Sequence, residues 1–513
     1  MADHPIHPIP STERKKPKNI IICCDGTGNE FSAPNPSRKP SDGQNSNVVK
    51  LYTALCVDND QVAYYHPGVG TMGAPTARYK WTQEWTKIMG LAFGAGFRDN
   101  VFDAYRFLME NYNDNDGDPD RVFLFGFSRG AYTVRALAGL LEGYGLLCRG
   151  NEGHLPYAWR MYLGQHDKRN QRQVEPDHAF RETFSHPNFK IHFVGVWDTV
   201  SSIGWITSPM RLFNVAYNPS VQHTRHAVSI DEHRCFFEDN LLDDTKGDVV
   251  QAWFAGVHSD VGGSYLQPES GLADITLRWM LAEAEAKGLR LDKNGREKLI
   301  FGDTPIPTRP TDILYNKPTS WKLHNSLVWA WWIPEFIPHI YFNRDYGEEY
   351  CRVPFGIRLR QIPEKALVHP TVRDRMLTPP PGAKPYHPRN CHLEELQDDP
   401  AAPIGRDELK RDEPRPYLRY VPKGRAKASP LFTLFDRFVV TWFFGIFDVV
   451  VLLPLLVAIL LALCSGVGAL LLRLGLFLWH WPFHSLWHLL LNWLFLLAHL
   501  IACLVHWIWN LKR

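Results

Sequence analysis

This 513-residue chain has no marked imbalance of charge: 56 Lys and Arg stand against 54 Asp and Glu, a formal net charge of +2. That leaves no electrostatic reason to expect a nucleic-acid partner. Nor is there a C-x-x-C pair among its nine cysteines. They are odd in number and scattered from Cys23 to Cys503, which argues against a disulfide framework and a structural zinc site and fits reduced thiols facing the cytosol. The N-terminus, MADHPIHPIPSTERKKPK, has no apolar core to act as a secretory signal, and residues 1–18 read as a disordered tail. Hydrophobic material is not lacking, at 45% of residues, and it suffices for a sizeable core.

The stretch that organises the rest is Arg121 to Leu141, RVFLFGFSRGAYTVRALAGLL. Val122, Phe123, Leu124 and Phe125 form a continuous apolar run without alternation, as a strand buried on both faces does. Gly126, Ser128 and Gly130 then spell G-x-S-x-G before a helical pattern begins. A serine held at a sharp strand-to-helix turn needs small neighbours, because a side chain at either flanking position would collide with the turn. The helix that follows aims its N-terminus at the serine, where free N–H groups and the helix dipole favour a developing oxyanion. Ser128 is therefore the candidate nucleophile.

Further strands are predicted at Asn19–Cys24, Gln61–Tyr65, Phe189–Trp197 and Val249–Val257, with a helix capped by Asn47 and others from Arg98 to Tyr112 and from about Leu272 to Lys287. This alternation predicts an α/β fold, a parallel sheet covered by helices on both faces, because parallel strands need crossover helices. In such sheets ligands bind at the carboxyl ends of the strands. The loop DGTGN at Asp25 to Asn29, HPGVGT at His66 to Thr71, Ser128, Asp198 and His258 all fall on that edge. The polar stretches 145–187 and HAVSIDEHR at His226 to Arg234 read as excursions between elements.

A serine is inert at neutral pH unless a base takes its proton and an acid orients that base. His258 and Asp198 are the expected pair, in the chain order Ser, Asp, His of α/β-hydrolases. His226 and His369 are the alternative bases. For the oxyanion, one donor is the backbone N–H of Arg129, and the DGTGN loop offers Gly26 and Thr27. Asp25 is expected to hold that loop. A haloacid-dehalogenase phosphatase also begins with a strand and a D-x-D-G-T loop, but Cys23 stands where its nucleophilic Asp would be. No metal or cofactor is expected.

Beyond the catalytic region, residues 19–300, the chain from 301 to 430 is proline-dense and reads as an irregular extension or cap with an aromatic cluster at Trp321 to Phe342. Residues 431–513 form a hydrophobic membrane region. Phe438–Leu472 and Leu486–Trp509 each exceed the ~20 residues needed to cross a ~30 Å hydrocarbon core. Lys423, Arg425 and Lys427 precede them and Lys512 and Arg513 follow, so two helices would leave both basic ends, and the catalytic region, in the cytosol. His484, His488, Asn492, His499, His506 and Asn510 share one face of the second run, as helix–helix hydrogen bonding or an in-plane helix would require.

Taken in order, DGTGN, GFSRGAYTVR, VWDTVSSIG, HAVSIDEHR and WFAGVHSDVGGSY resemble the hydrolase domain of the first class of type VI secretion phospholipase effectors, over about Asn19 to Lys287. The resemblance implies an α/β-hydrolase fold, esterase or phospholipase A chemistry, and Ser128, Asp198 and His258 as nucleophile, acid and base. The apolar C-terminus departs from the effectors and is like membrane-anchored fungal relatives. The combined expectation is a membrane-anchored serine esterase acting on a glycerolipid or other ester, with no nucleic-acid partner. A thioesterase or amidase, or a non-catalytic scaffold, is the alternative.

Overall fold

The computed structural model describes residues 16–26, 44–68, 96–164, 178–186, 188–200, 216–292, 322–327, 331–336, 358–377, 385–398 and 417–422, with short pieces at 204–205, 208–209, 339–343, 348–352 and 356. The chain divides into two compact units, Met1–Lys427 and Ala428–Arg513, and every described residue lies in the first.

Strands β1 (Asn19–Cys24) and β3 (Arg121–Phe127) are apolar almost throughout, and each alternates its side chains between two cores. Ile20, Ile22, Val122 and Leu124 face helices α2 (Phe97–Asn111) and α3 (Arg129–Tyr144), packing on Val101, Tyr105, Leu108, Leu137 and Leu140. Ile21, Cys23, Phe123 and Phe125 face α1 (Asn47–Ala54) and α7 (Gly271–Glu285), against Val48, Leu51, Ile275 and Trp279. Each fully buried Ile, Leu or Phe contributes roughly 1.5–3 kcal/mol relative to an exposed one, which is why the strands read as continuous apolar runs rather than as alternating ones. Helix α1 begins one residue earlier than expected: Ser46, not Asn47, is its N-cap, its hydroxyl accepting from the Val49 N–H at 3.2 Å. Asn47 instead donates to the Val261 and Ala273 carbonyls and ties α1 to the α7 side of the molecule.

With β2 (Gln61–His66), β4 (Ile191–Trp197), β5 (Val221–Ser229), β6 (Asp248–Phe254), β7 (Leu367–Val368), β8 (Leu396–Asp398) and β9 (Leu418–Tyr420), the sheet runs β8-β9-β7-β6-β5-β4-β3-β1-β2 among the described residues. Pairing is parallel from β2 to β7 and antiparallel at β7/β9 and β9/β8. The class is α/β with a mixed sheet.

One expectation is corrected here. The segment reaching His226, read as an excursion, is the nine-residue central strand β5, between β4 and β6. Its sequence VQHTRHAVS hides the strand because its buried polar groups are paired rather than replaced by apolar ones. Arg225 bonds Glu283 at 2.5 Å and Asp248 at 2.9 Å, and His226 Nδ1 lies 2.9 Å from Gln251 Oε1. Within 145–187, helices α4 (Leu155–Gly164) and α5 (His178–Phe184) are formed. From the proline-dense 301–430 segment come β7, β8 and β9 with α8 (Pro370–Leu377), closing a third core around Trp253, Val368, Val372 and Leu418. No helix among the described residues is long and apolar enough to cross a membrane. The apolar runs 438–472 and 486–509, with their His/Asn stripe, lie outside those residues.

Candidate active site

The parallel register carries the ends of β3 and β4 to one edge: Phe127 pairs with Trp197, and the Ser128 N–H donates to the Trp197 carbonyl at 3.1 Å. Ser128 therefore stands directly beside the start of the loop that holds Asp198. Both residues adopt left-handed φ, 58° at Ser128 and 40° at Asp198. A non-glycine residue reaches that region only at a cost, and two such residues on neighbouring strand ends place the strain at this edge. The elbow glycines answer to sterics as expected. A Cβ on Gly130 would lie 2.2 Å from the Cys24 carbonyl oxygen, and one on Gly126 2.6 Å from the Gly130 oxygen. Close packing of α3 on the end of β1 thus requires glycine.

His258 opens the short helix α6 (His258–Gly262) just past β6. A Cβ on Gly262 would lie 1.9 Å from the Phe127 ring, so glycine lets this helix settle on the residue that precedes Ser128. The His258 ring sits 4.6 Å from the Phe127 ring, centroid to centroid, and 4.8 Å from that of Phe237. Its Nδ1 lies 2.6 Å from Asp198 Oδ2, while Nε2 is buried without a partner among the described residues. Nδ1–H donating to the carboxylate leaves Nε2 as the proton acceptor. Burial pushes the His258 pKa below its ordinary value despite the Asp198 carboxylate, which keeps the ring neutral at neutral pH.

Sequence reasoning missed what holds Asp198. Arg360, buried and drawn from the proline-dense segment, makes two bonds to Asp198: Nη1 to Oδ1 at 2.5 Å and Nη2 to Oδ2 at 3.0 Å. Ser229 N–H adds a third at 2.8 Å to Oδ1. Burial alone would raise the Asp198 pKa, but Arg360 and His258 hold it far below the carboxylate range. Arg360 is itself anchored by the Ser229 and Phe237 carbonyls. No spacing or motif marks this arginine in the sequence.

The loop after β5 also supports the histidine. Glu232 accepts from the His258 backbone N–H at 3.1 Å and from Arg234 at 2.9 and 3.0 Å, and Asp231 accepts from the Gly256 N–H at 2.7 Å. Burial would raise Glu232, yet Arg234 brings it down to about 2. Arg234 lies over the Phe237 ring at 3.6 Å and the Trp331 ring at 4.9 Å, an aromatic wall one residue deep behind His258. The motif SIDEHR was visible, but its roles depend on contacts across the sheet.

The other two histidines are turned elsewhere. His226 is wholly buried, with Nδ1 at Gln251 and Nε2 accepting from the Thr199 N–H at 3.2 Å, and burial pushes it down to about 3. His369, at the end of β7, bonds Thr371 Oγ1 at 2.7 Å and stacks on Phe254. Asp198 has its carboxylate contact with His258, not with them.

Of the oxyanion donors, Arg129 N–H is at the first position of α3, where no intrahelical acceptor exists. The Gly26 N–H donates to Asp25 Oδ1 at 2.7 Å, and Asp25 Oδ2 accepts from Ser46 and Tyr65 at 2.7 and 2.9 Å. Asp25 holds the loop, as expected of it; Thr27 lies outside the described residues. Among the described residues no three His, Cys, Asp or Glu side chains gather as a metal site.

Comparison with known proteins bears on the same region. An uncharacterized Saccharomyces cerevisiae protein is 35% identical over 241 residues, 45% of this chain and 33% of that protein. A solved structure of an uncharacterized Pseudomonas aeruginosa protein is 20% identical with a TM-score of 0.33, covering 56% of this chain and 49% of that one. The structure of the Tle1 effector bound to the VgrG spike of the type VI secretion system is 18% identical with a TM-score of 0.29, covering 52% and 56%. The chain thus spans a third of the curated relative's length and about half of each solved chain's. Residues 18–283, just over half of the sequence, match a family described as the type VI secretion phospholipase effector Tle1-like catalytic domain, and the chain belongs to that family.

Proposed function

We propose that this protein is a serine hydrolase of carboxylic esters, acting on glycerolipids or glycerophospholipids through a Ser128–His258–Asp198 triad on an α/β-hydrolase fold. The observation that carries the reading is the His258 Nδ1–Asp198 Oδ2 bond of 2.6 Å with Nε2 left open, beside the strained serine elbow. The family's description as a phospholipase domain supports the lipid ester as substrate.

In this reading Ser128 Oγ attacks the acyl carbonyl as His258 Nε2 takes its proton, and the imidazolium is stabilised by ionised Asp198. The Arg129 N–H, with Thr27 as second donor, stabilises the oxyanion. His258 then gives its proton to the leaving alcohol, and water enters by the same route to release the acid. Residues 19–300 carry the triad and the following segment supplies Arg360. The two apolar runs after residue 431 would anchor this unit at a membrane, where lipid is concentrated.

The test is turnover of p-nitrophenyl esters, phospholipids and acyl-thioesters by the detergent-solubilised full chain. Ester cleavage is expected, abolished by Ser128→Ala and His258→Ala and reduced roughly 10⁴-fold by Asp198→Asn. Preference for the thioester would favour the thioesterase alternative, and a His369→Ala loss with His258→Ala unaffected would move the base. No turnover of any ester would leave a scaffold that keeps the fold.

A further inference from the structure

Among the described residues, the arginine that follows Ser128 has a charge with no counter-ion. Arg129 is 6% exposed, and its Nε and Nη2 are buried without a hydrogen-bond partner among the described residues. Several other buried arginines are matched: Arg225 by Glu283 and Asp248, Arg234 by Glu232, Arg360 by Asp198, and Arg135 by the oxygens of Asn240. Arg278 and Arg375 also carry nitrogens without a bond, but Arg375 lies over the Tyr386 ring and feels the Asp231 and Asp260 carboxylates. A desolvated guanidinium without such a match is costly to the folded chain, and proteins rarely keep one idle.

A second, independent feature has the same sign. Arg129 is the first residue of the 16-residue helix α3, whose first turn carries no acidic side chain. The unsatisfied N–H groups and dipole of that end add positive potential to the guanidinium instead of offsetting it. Burial pushes the Arg129 pKa down to about 9 with no opposing charge, and the group remains cationic at neutral pH.

We infer that the Arg129 guanidinium and the N-terminus of α3 form an anion subsite beside Ser128 that receives a permanently anionic group of the ester substrate, such as a phosphodiester. The planar fork of arginine suits two oxygens of such a group. The subsite makes the protein discriminate between anionic and neutral esters of the same acyl chains. This deepens the hydrolase reading and rests on it for its substrate. A guanidinium serving only the transient oxyanion would instead affect every ester alike.

The experiment has a kinetic and a binding arm, both on the full chain in non-ionic detergent. In the first, kcat/KM is measured for a diacyl phosphodiester lipid and for the diacylglycerol with the same acyl chains. The anionic-to-neutral ratio should fall at least tenfold in Arg129→Met and by less in Arg129→Lys; an unchanged ratio overturns the subsite. In the second, melting of Ser128→Ala is followed with glycerol 3-phosphate, inorganic phosphate and glycerol. Glycerol 3-phosphate should raise the midpoint more than inorganic phosphate, and glycerol should not raise it. Equal shifts with the two phosphates assign the subsite to free anion and overturn its role in substrate reading, and no shift overturns it altogether. Because this arm needs no turnover and no change at Arg129, it stands if Arg129→Met does not fold. If wild type cleaves neither lipid, the hydrolase reading fails while the binding arm still decides the subsite.

Discussion

In β1, β3 and β4 the buried side chains are almost all apolar, Ile, Val, Leu, Phe, Trp and Cys with Asn19 as the polar exception; from β5 onward they include Arg225, His226 and Gln251, with Arg360 buried at the strand ends. Ser128, the proposed nucleophile, belongs to the first half and is set by shape: a strained residue between two glycines that no larger residue could replace. Asp198 and His258 depend on the second half and are set by charge, through Arg360, Ser229 and Glu232. The difference matters energetically. Steric placement fails when volume is added, whereas a buried ionic network fails when one partner is removed and the other is left uncompensated.

Breaking the steric half should cost most. Gly130→Val introduces a Cβ where the Cys24 carbonyl already stands 2.2 Å away, backbone against backbone, and should destabilise the protein by on the order of 4 kcal/mol. Denaturant midpoints against wild type would read it; a change below a quarter of that would mean that β1 and α3 separate easily. On the charged half, Arg360→Met should cost roughly 3 kcal/mol by leaving the buried Asp198 carboxylate without its guanidinium partner. It should also raise the pKa of Asp198, visible as a carboxylate that titrates in its ordinary range by NMR. A neutral effect on both would remove Arg360 from the account.

The smallest effect is a slope. His226 ionises near 6.5 in the unfolded chain but only at about 3 in the native one. Unfolded chains therefore bind a proton that the native state refuses as pH falls from about 6.5, and stability is full above that pH and declines below it, by up to ~1.4 kcal/mol per pH unit. Between about pH 6.5 and 5, above the ordinary carboxylate range, His226→Gln should flatten the decline relative to wild type. An identical slope would mean that His226 is protonated in the native protein.

The same contrast explains what could be read in advance. NIIICC and RVFLF announce buried strands because the groups that stabilise them are the apolar side chains themselves. VQHTRHAVS does not, because its stability comes from Glu283, Asp248 and Gln251, which are distant in sequence. That Ser128, Asp198 and His258 stand just past the ends of strands was legible from the apolar runs before them, and the structure brings Asp198 and His258 into contact. Arg360 was not, since a single arginine in a proline-dense segment acquires its meaning only from the 2.5 Å bond to Asp198. Nor does the sequence show that the Gly26 N–H meets the Asp25 carboxylate, a contact set by the loop's conformation.

The most direct measurement is covalent labelling of the full-length protein with a fluorophosphonate, followed by peptide mapping across pH. The account predicts a single adduct on Ser128, absent in Ser128→Ala, whose rate falls on acidification with a midpoint below 6.5 as His258 gains its proton. Labelling that persists in Ser128→Ala, or an adduct mapped to another residue, would contradict it.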